Sequence, residues 1–440
     1  MNNKILITGL GLVSPLGDSK EELWNHLSTG KSGIVPLDGE DYGLKSLRFG
    51  APCSFFTGEI GDFGELHKEV KKNIRKNAKV MCRETQMAVA AAQKALHDAG
   101  LAYDGCPQGD TGVMFGTDHM VADPRAMAPA FLACMENGVL HTEFLGSKGI
   151  PQVMPLWLLI WLTNMPGCHI SIYNQLLGPN NSITMGEASA NAALKYAQST
   201  IHRGAARRMV VGVTGTRLQA VRTWQTAISE KLADENCVPE EACRPFDKNH
   251  TGQVLGEGAG VFILESQESA LARGAKIYAE FIAAADSMAG THTEDLSRRC
   301  LVPDFRQSME NVLRGVLDRS GYSVDEIGFI HAHGVGVPEI DRAEADAIHA
   351  VFGARREPIP VVAAKSYSGN LGAGSGALEI MAGIAALESG HLFPTKNFVE
   401  SDGYKLNIVM NENVPAGKCF INLNVNSRGQ ASAALLAHAE

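Results

Sequence analysis

One arrangement, met twice, limits the folds open to this chain. In the first half, "DTGVMFGTD" (110–118) is followed by "SITMGEASANAALKYAQSTI" (182–201); in the second, "EIGFIHAHGVGVP" (326–338) is followed by "VVAAKSYSGNLGAGSGALEIMAGIAALESG" (361–390). Each pair reads as an apolar strand ending in a polar turn, then a second strand whose turn opens a helix rich in Gly and Ala. Further strand candidates ("KILITGLGLV", "RRMVVGVTGT", "GAGVFILES") alternate with helical stretches near Glu21–Ser28 and in "RETQMAVAAAQKALHDAG". In the latter, Met87, Ala91, Ala95 and Ala99 share one stripe and Gly100 ends the helix. The alternation is that of an α/β fold. Two similar halves packed face to face would gather their turns at one central site. No hydrophilic linker separates them, so the seam is expected near Gly274–Ala279, within one continuous unit of two halves, 1–270 and 271–440.

Three turns carry polar residues in apolar, Gly-rich surroundings. The first, after Met185-Gly186, presents Glu187. The second has His331, His333, Asp341 and Glu344, and the third has Lys365, Ser366, Ser368 and Asn370. A strand feeding a tight Gly turn into a helix N-terminus suits a nucleophile, yet Glu187 is a poor choice for most covalent chemistry. The small residues Ala188, Ser189, Ala190, Ala192 and Ala193, and the run 372–377, allow two readings. They permit close helix–sheet packing, or they also mark buried helices whose N-termini face a ligand.

Composition excludes several classes. The net charge is −9, with no Arg-rich run, which argues against nucleic acid. The longest apolar run, Leu156–Leu162, is followed closely by Asn164 and Pro166 and falls short of the ~20 residues of a membrane span. It is expected to be a buried core or interface helix. The opening Met1-Asn2-Asn3-Lys4 lacks the apolar core and cleavage site of a signal peptide. Nine Cys are scattered without metal-binding spacing. These features fit reduced thiols, no bound metal and a cytoplasmic protein that avoids membranes.

The motifs resemble those of the β-ketoacyl synthase family. "ITGLGLVSPLG" with "ELWNHLSTGKSGI" resembles the family's opening. "RPFDKNHTGQVLGEGAGVFILES" (244–266), followed by "ARGAKIYAEF", resembles its middle signature. "HAHGVGVPEIDRAEADAI" and "AAKSYSGNLGAGSGALE" resemble its two later motifs, so the likeness runs along the whole chain. It implies a thiolase-type five-layer αβαβα fold with two pseudo-duplicated halves. It also implies a condensation chemistry in which a Cys thiolate at a helix N-terminus takes an acyl group and two His polarise a malonyl thioester.

Against that pattern, the three positions corresponding to the family's Cys-His-His hold Glu187, His333 and Asn370. Lys365, Asp341 and Glu344 are kept in support. The C-terminal Gly/Phe-rich loop has become "NLNVNSRGQASAALL", with Asn424, Asn426 and Arg428. A mixed anhydride on Glu187 would be harder to form than the thioester supplying it, and Asn370 offers only a neutral hydrogen bond. Condensation by this chain alone is therefore not expected. Within the family, "GEASANAAL" resembles the stretch in which the chain-length factor, or ketosynthase β subunit, of type II polyketide synthases replaces the Cys. That resemblance implies a heterodimer with a Cys-His-His ketosynthase α subunit, and acyl chains carried on the phosphopantetheine of an acyl carrier protein, with no cofactor of its own. It further implies that Pro124, Met127, Phe131 and Trp161 line a chain-length pocket or the interface. The alternatives are an active acyltransferase or malonyl-carrier decarboxylase with a remodelled site, or the equivalent aryl polyene subunit. Glu187 itself is expected to accept helix N–H groups, to pair with His333, or to stay protonated as an amide mimic.

Overall fold

The computed structural model describes residues 4–292 and 301–439; Met1–Asn3, part of the opening read above, lie outside the described residues. Five strands come from the first half: β1 (Ile5–Val13), β2 (Thr111–Thr117), β3 (Asn180–Thr184), β4 (Arg208–Thr216) and β5 (Glu257–Ser266). Six follow: β6 (Ala279–Met288), β7 (Phe329–His331), β8 (Pro360–Val362), β9 (Asn407–Ile408), β10 (Cys419–Val425) and β11 (Gln430–Ala437). The first five lie in the order β3-β2-β4-β5-β1, the first three parallel and the remaining contacts antiparallel. The second half repeats that order and those directions as β8-β7-β10-β11-β6, with β9 added outside β8. β1 and β6 pair antiparallel, Ile5 opposite Phe281 and Ile7 opposite Ala279, so the two half-sheets join into one eleven-stranded sheet. The duplication read from the turns is a duplication of topology.

The helices used below are α1 (Lys20–Thr29), α2 (Arg83–Asp98), α3 (Pro124–Ala133), α4 (Met165–Asn174), α5 (Ser189–His202), α6 (Ala220–Ser229), α7 (Phe305–Ser320), α8 (Pro338–Phe352) and α9 (Ser375–Ser389). α1 starts where Ser19 accepts the Glu22 N–H at 3.2 Å and stops at Gly30 in the left-handed region, a cap at each end. α2 buries its Met87–Ala91–Ala95 stripe on β1. Gly11 makes the close approach possible, because a Cβ there would lie 2.0 Å from the Ala91 carbonyl oxygen.

α2 covers the first half-sheet and α7 the second, while α5 and α9 touch strands of both. These contacts give the αβαβα layering, with α5 and α9 as the middle layer. Their small residues serve packing: a Cβ on Gly376 would meet the Ala190 methyl at 2.7 Å, and every residue of α9 from Ser375 to Leu387 is buried. Burying 13 consecutive residues requires an apolar surface all round, which "SGALEIMAGIAAL" supplies with Glu379 as its one charge.

Of the two readings of the Leu156–Leu162 run, buried core or interface helix, the structure contradicts the first. Only Trp157–Ile160 is helical, and Leu156 and Leu158 are half exposed. It is a surface turn of the single chain and not part of its core. Phe131, Leu132, Val139, Ile150, Ile172 and Leu177 are likewise exposed, so the stretch 131–177 carries much apolar surface to solvent. Eight free cysteines stand among the described residues. No helix among them is long and apolar enough to cross a membrane.

Candidate functional site

The parallel strands of each half point their C-terminal ends at one central place, where α/β sheets commonly bind ligands. Asp118 follows β2, Glu187 lies in the turn after β3, and Arg217 follows β4. Ala332-His333 follows β7, Lys365 lies just beyond β8, and Asn426 follows β10. The turn before α5 is tight because Gly186 adopts φ +54°, a conformation that side-chain-bearing residues rarely take. It leaves Glu187 3% exposed.

Glu187 is tied into a closed circuit of side chains. Its Oε1 accepts from Arg217 Nη2 and, at 2.9 Å, from Asn370 Nδ2. Asn370 Nδ2 also donates to Gln253 Oε1 at 2.8 Å, and Gln253 Nε2 donates to Glu230 Oε2 at 2.7 Å. Arg217 Nη1 closes the circuit, donating to the two Glu230 oxygens at 3.2 and 3.3 Å. The Asn370 carbonyl is also taken, accepting from the Gly372 N–H at 3.0 Å and the Ser375 hydroxyl at 3.2 Å. Thus two of the three positions singled out by sequence are in direct contact, with Glu187 Oε1 and the Asn370 side-chain amide bonded to the protein.

This geometry corrects two expectations for Glu187. No hydrogen bond joins it to His333, because Arg217 and Asn370 occupy its carboxylate. Nor is it held protonated. Burial pushes its pKa up, but the Arg217 charge, the Asn370 hydrogen bond and its own backbone N–H outweigh that and hold it below the ordinary value. Arg217, Glu230 and Gln253 escaped the sequence reading. The only signal for Arg217 was a charge placed directly after the apolar strand "MVVGVTGT".

The second-half turn is held differently. His333 and Gly334 donate their backbone N–H groups to the two Glu344 oxygens at 2.6 and 2.8 Å. Asp341 accepts the N–H of Phe246 at 2.8 Å, of Val335 at 3.2 Å and of Gly336 at 3.1 Å, and bonds His250 Nδ1 at 3.0 Å. Burial raises the Glu344 carboxyl to about 8, against the pull of these N–H donors. Lys365 Nζ donates to the His333 carbonyl at 2.8 Å, lies 3.3 Å from His333 Nδ1, and pairs with buried Glu379. Burial first, then the charges of Lys365 and Arg217, push the His333 pKa well below its ordinary value, so the imidazole is neutral. His331 is buried away from these bonds, against Phe393.

The polar C-terminal loop seals the centre. Asn426 Nδ2 donates to the Met185 carbonyl at 2.9 Å, and Asn424 Nδ2 donates to Glu379 at 2.6 Å. A cleft of about 470 Å³ remains in front of the Glu187 turn, lined by charged residues. Trp161 does not reach it, lining instead a separate cavity of about 430 Å³ with Arg83, Glu84 and Glu257. Pro124 and Phe131 lie exposed on α3, with Met127 partly buried beside them.

Residues 2–270 match the beta-ketoacyl synthase N-terminal domain, and 283–399 match its C-terminal domain. The chain belongs to the beta-ketoacyl synthase family. Among relatives of this ketosynthase-like chain, 3-oxoacyl-[acyl-carrier-protein] synthase 2 of Synechocystis sp. is 31% identical over 399 residues, covering 91% of this chain and 89% of the relative. A beta-ketoacyl synthase from Burkholderia phymatum superposes with a TM-score of 0.82 at 25% identity, over 100% of both chains. The ishigamide ketosynthase/chain length factor superposes with a TM-score of 0.80 at 25% identity, also over 100% of both chains. The thiolase-like fold is thus shared with proteins named as synthases and with one named as a ketosynthase/chain length factor pair.

Proposed function

We propose that this chain is a non-condensing ketosynthase-like subunit, a chain-length factor. In this reading it pairs with an active ketosynthase α subunit to build and size a poly-β-ketone on an acyl carrier protein. One observation carries the reading: the position that matches the family's nucleophile is a carboxylate locked between Arg217 and Asn370. Paired this way, Oε1 of the carboxylate is engaged by a guanidinium and an amide. Acylation would neutralise Glu187 and leave buried Arg217 with Glu230 as its remaining anionic partner. Asn370 has no free N–H for an acyl carbonyl, and His333 is a single neutral donor. Losing a nucleophile costs several orders of magnitude in enzymes that use one.

Pairing is supported by surface. β3 is the outermost strand of the sheet and is largely exposed, an edge that proteins normally cover. The apolar stretch 131–177, with Phe131 on α3, adds exposed area of the kind an obligate partner buries. The named relatives favour an active synthase as the second reading, with the remodelled malonyl-carrier decarboxylase as its variant, and the equivalent aryl polyene subunit is a variant of the first.

Co-expression with a Cys-His-His ketosynthase separates these readings. The expected result is a stable heterodimer that forms product from malonyl-carrier protein, with Glu187→Ala altering product length or heterodimer yield. A chain that purifies alone as a homodimer and condenses acyl groups with carrier protein overturns the proposal.

A further inference from the structure

The cleft before the Glu187 turn has an unusual charge pattern. Arg217, Arg222 and Arg428 line it together with Asp118, Glu187 and Glu230, and His119 lies at its exposed edge. Three carboxylates face three arginines, but the pairing is uneven. Glu187 and Glu230 both bind Arg217. Asp118 gives one oxygen to the Ala373 N–H at 3.1 Å, while its other oxygen lies 3.5 Å from Arg222, beyond the ~2.8 Å of a charge-assisted hydrogen bond. Arg222 otherwise reaches only the neutral Gln225, at 3.2 Å. Arg428 has no side-chain partner among the described residues and is exposed at the cleft.

Unsatisfied atoms converge at the same place. Among the described residues, Arg217 Nε and Arg222 Nε are buried donors without a partner, Asp118 Oδ1 is a buried acceptor without one, and Arg217 is only 2% exposed. Buried guanidinium N–H groups without acceptors are costly, and two of them around one cleft call for an explanation. A loosely paired arginine and an unpaired one line the same cleft, and guanidinium groups suit an oxyanion.

We infer that this cleft binds a small oxyanion, a carboxylate or phosphate group, with Arg222 and Arg428 as its direct ligands and Arg217 as the charge behind them. The site is separate from any condensing role, since it uses neither Glu187 nor Asn370 as a reacting group, and it does not depend on the chain-length reading. A carboxylate could come from the free end of an acyl group, and a phosphate from a phosphate ester.

Calorimetric titration of inorganic phosphate and, separately, malonate into the full chain tests the site, using the heterodimer where the chain purifies as one. Saturable binding is expected, weakened about tenfold or more by Arg428→Gln, as for the loss of one charge-assisted pair. Arg428 has no partner to lose, so this variant should fold normally. Arg356→Gln, an exposed arginine outside the cleft, should leave binding unchanged. Tighter binding of phosphate than of malonate upholds the site and identifies a phosphate ester as its ligand class; the reverse order upholds it and identifies a carboxylate. No saturable binding of either probe, or equal effects of the two substitutions, overturns the inference.

Discussion

At the second-half turn, carboxylates hold backbone. Asp341 and Glu344 collect five N–H groups from Phe246 and the His333–Gly336 loop, and Lys365 adds a bond to the His333 carbonyl. At the first-half turn, side chains hold side chains: Glu187, Arg217, Glu230, Gln253 and Asn370 bond one another in a circuit. The first arrangement fixes a loop while leaving an imidazole ring to face the centre. The second ties Glu187 Oε1 and the Asn370 amide to other side chains. A family fold can thus keep the scaffold of one turn while the other becomes a structural lock. The two should respond differently to substitution.

The largest effect should come from Arg217→Met. It leaves buried Glu187 without its cation and part-buried Glu230 without the same partner, and urea unfolding should show a loss of about 3–5 kcal/mol, the range for breaking a buried pair from one side. Glu187→Gln is expected to cost less, about 2 kcal/mol, because Glu230 still compensates Arg217 and only one charge-assisted contact becomes neutral. The same variant should change the acid limb. Glu187 has a folded-state pKa below its ordinary 4.5, so the unfolded chain binds the extra proton. Its stabilisation is complete above about pH 4.5 and is lost as the pH falls through the folded-state value, and Glu187→Gln should flatten that loss in unfolding curves taken against pH.

Asp341→Asn should act on the loop and leave the circuit alone, with a loss of about 1–3 kcal/mol from weakened acceptors. Hydrogen exchange should rise at Val335 and Gly336 and stay unchanged at Arg217. A rise at both turns would mean that they form one cooperative unit, and the contrast drawn between them would fail. The smallest effect on the isolated chain should be that of Phe131→Ser, within about 0.5 kcal/mol because the ring is exposed. In the proposed heterodimer the same change should weaken association, measurable by analytical ultracentrifugation.

Much of the fold was legible because its signals are local and repeated. Strand, turn and small-residue helix recur in both halves, and the observed strand order repeats with them. The meeting of Glu187 and Asn370, 183 residues apart, was also foreseeable, since both turns follow matching strands. The ionic partners were not. Arg217, Glu230 and Gln253 reach the site from three separate loops, and no periodicity announces a lone charge that folds inward. Missing Arg217 kept a protonated Glu187 among the alternatives, because burial alone argues for a neutral acid. The buried-core reading of Leu156–Leu162 failed for another reason. A run of apolar residues looks alike whether it faces a core or a partner, and only the structure shows it on the surface.

The central claim is that the nucleophile is absent from this chain. Intact-mass spectrometry of the co-purified pair, incubated with an acyl-carrier thioester, tests it directly. The acyl mass should appear on the ketosynthase partner alone, with this chain unmodified. An acyl adduct on this chain, chased to product when malonyl-carrier protein is added, would contradict the account.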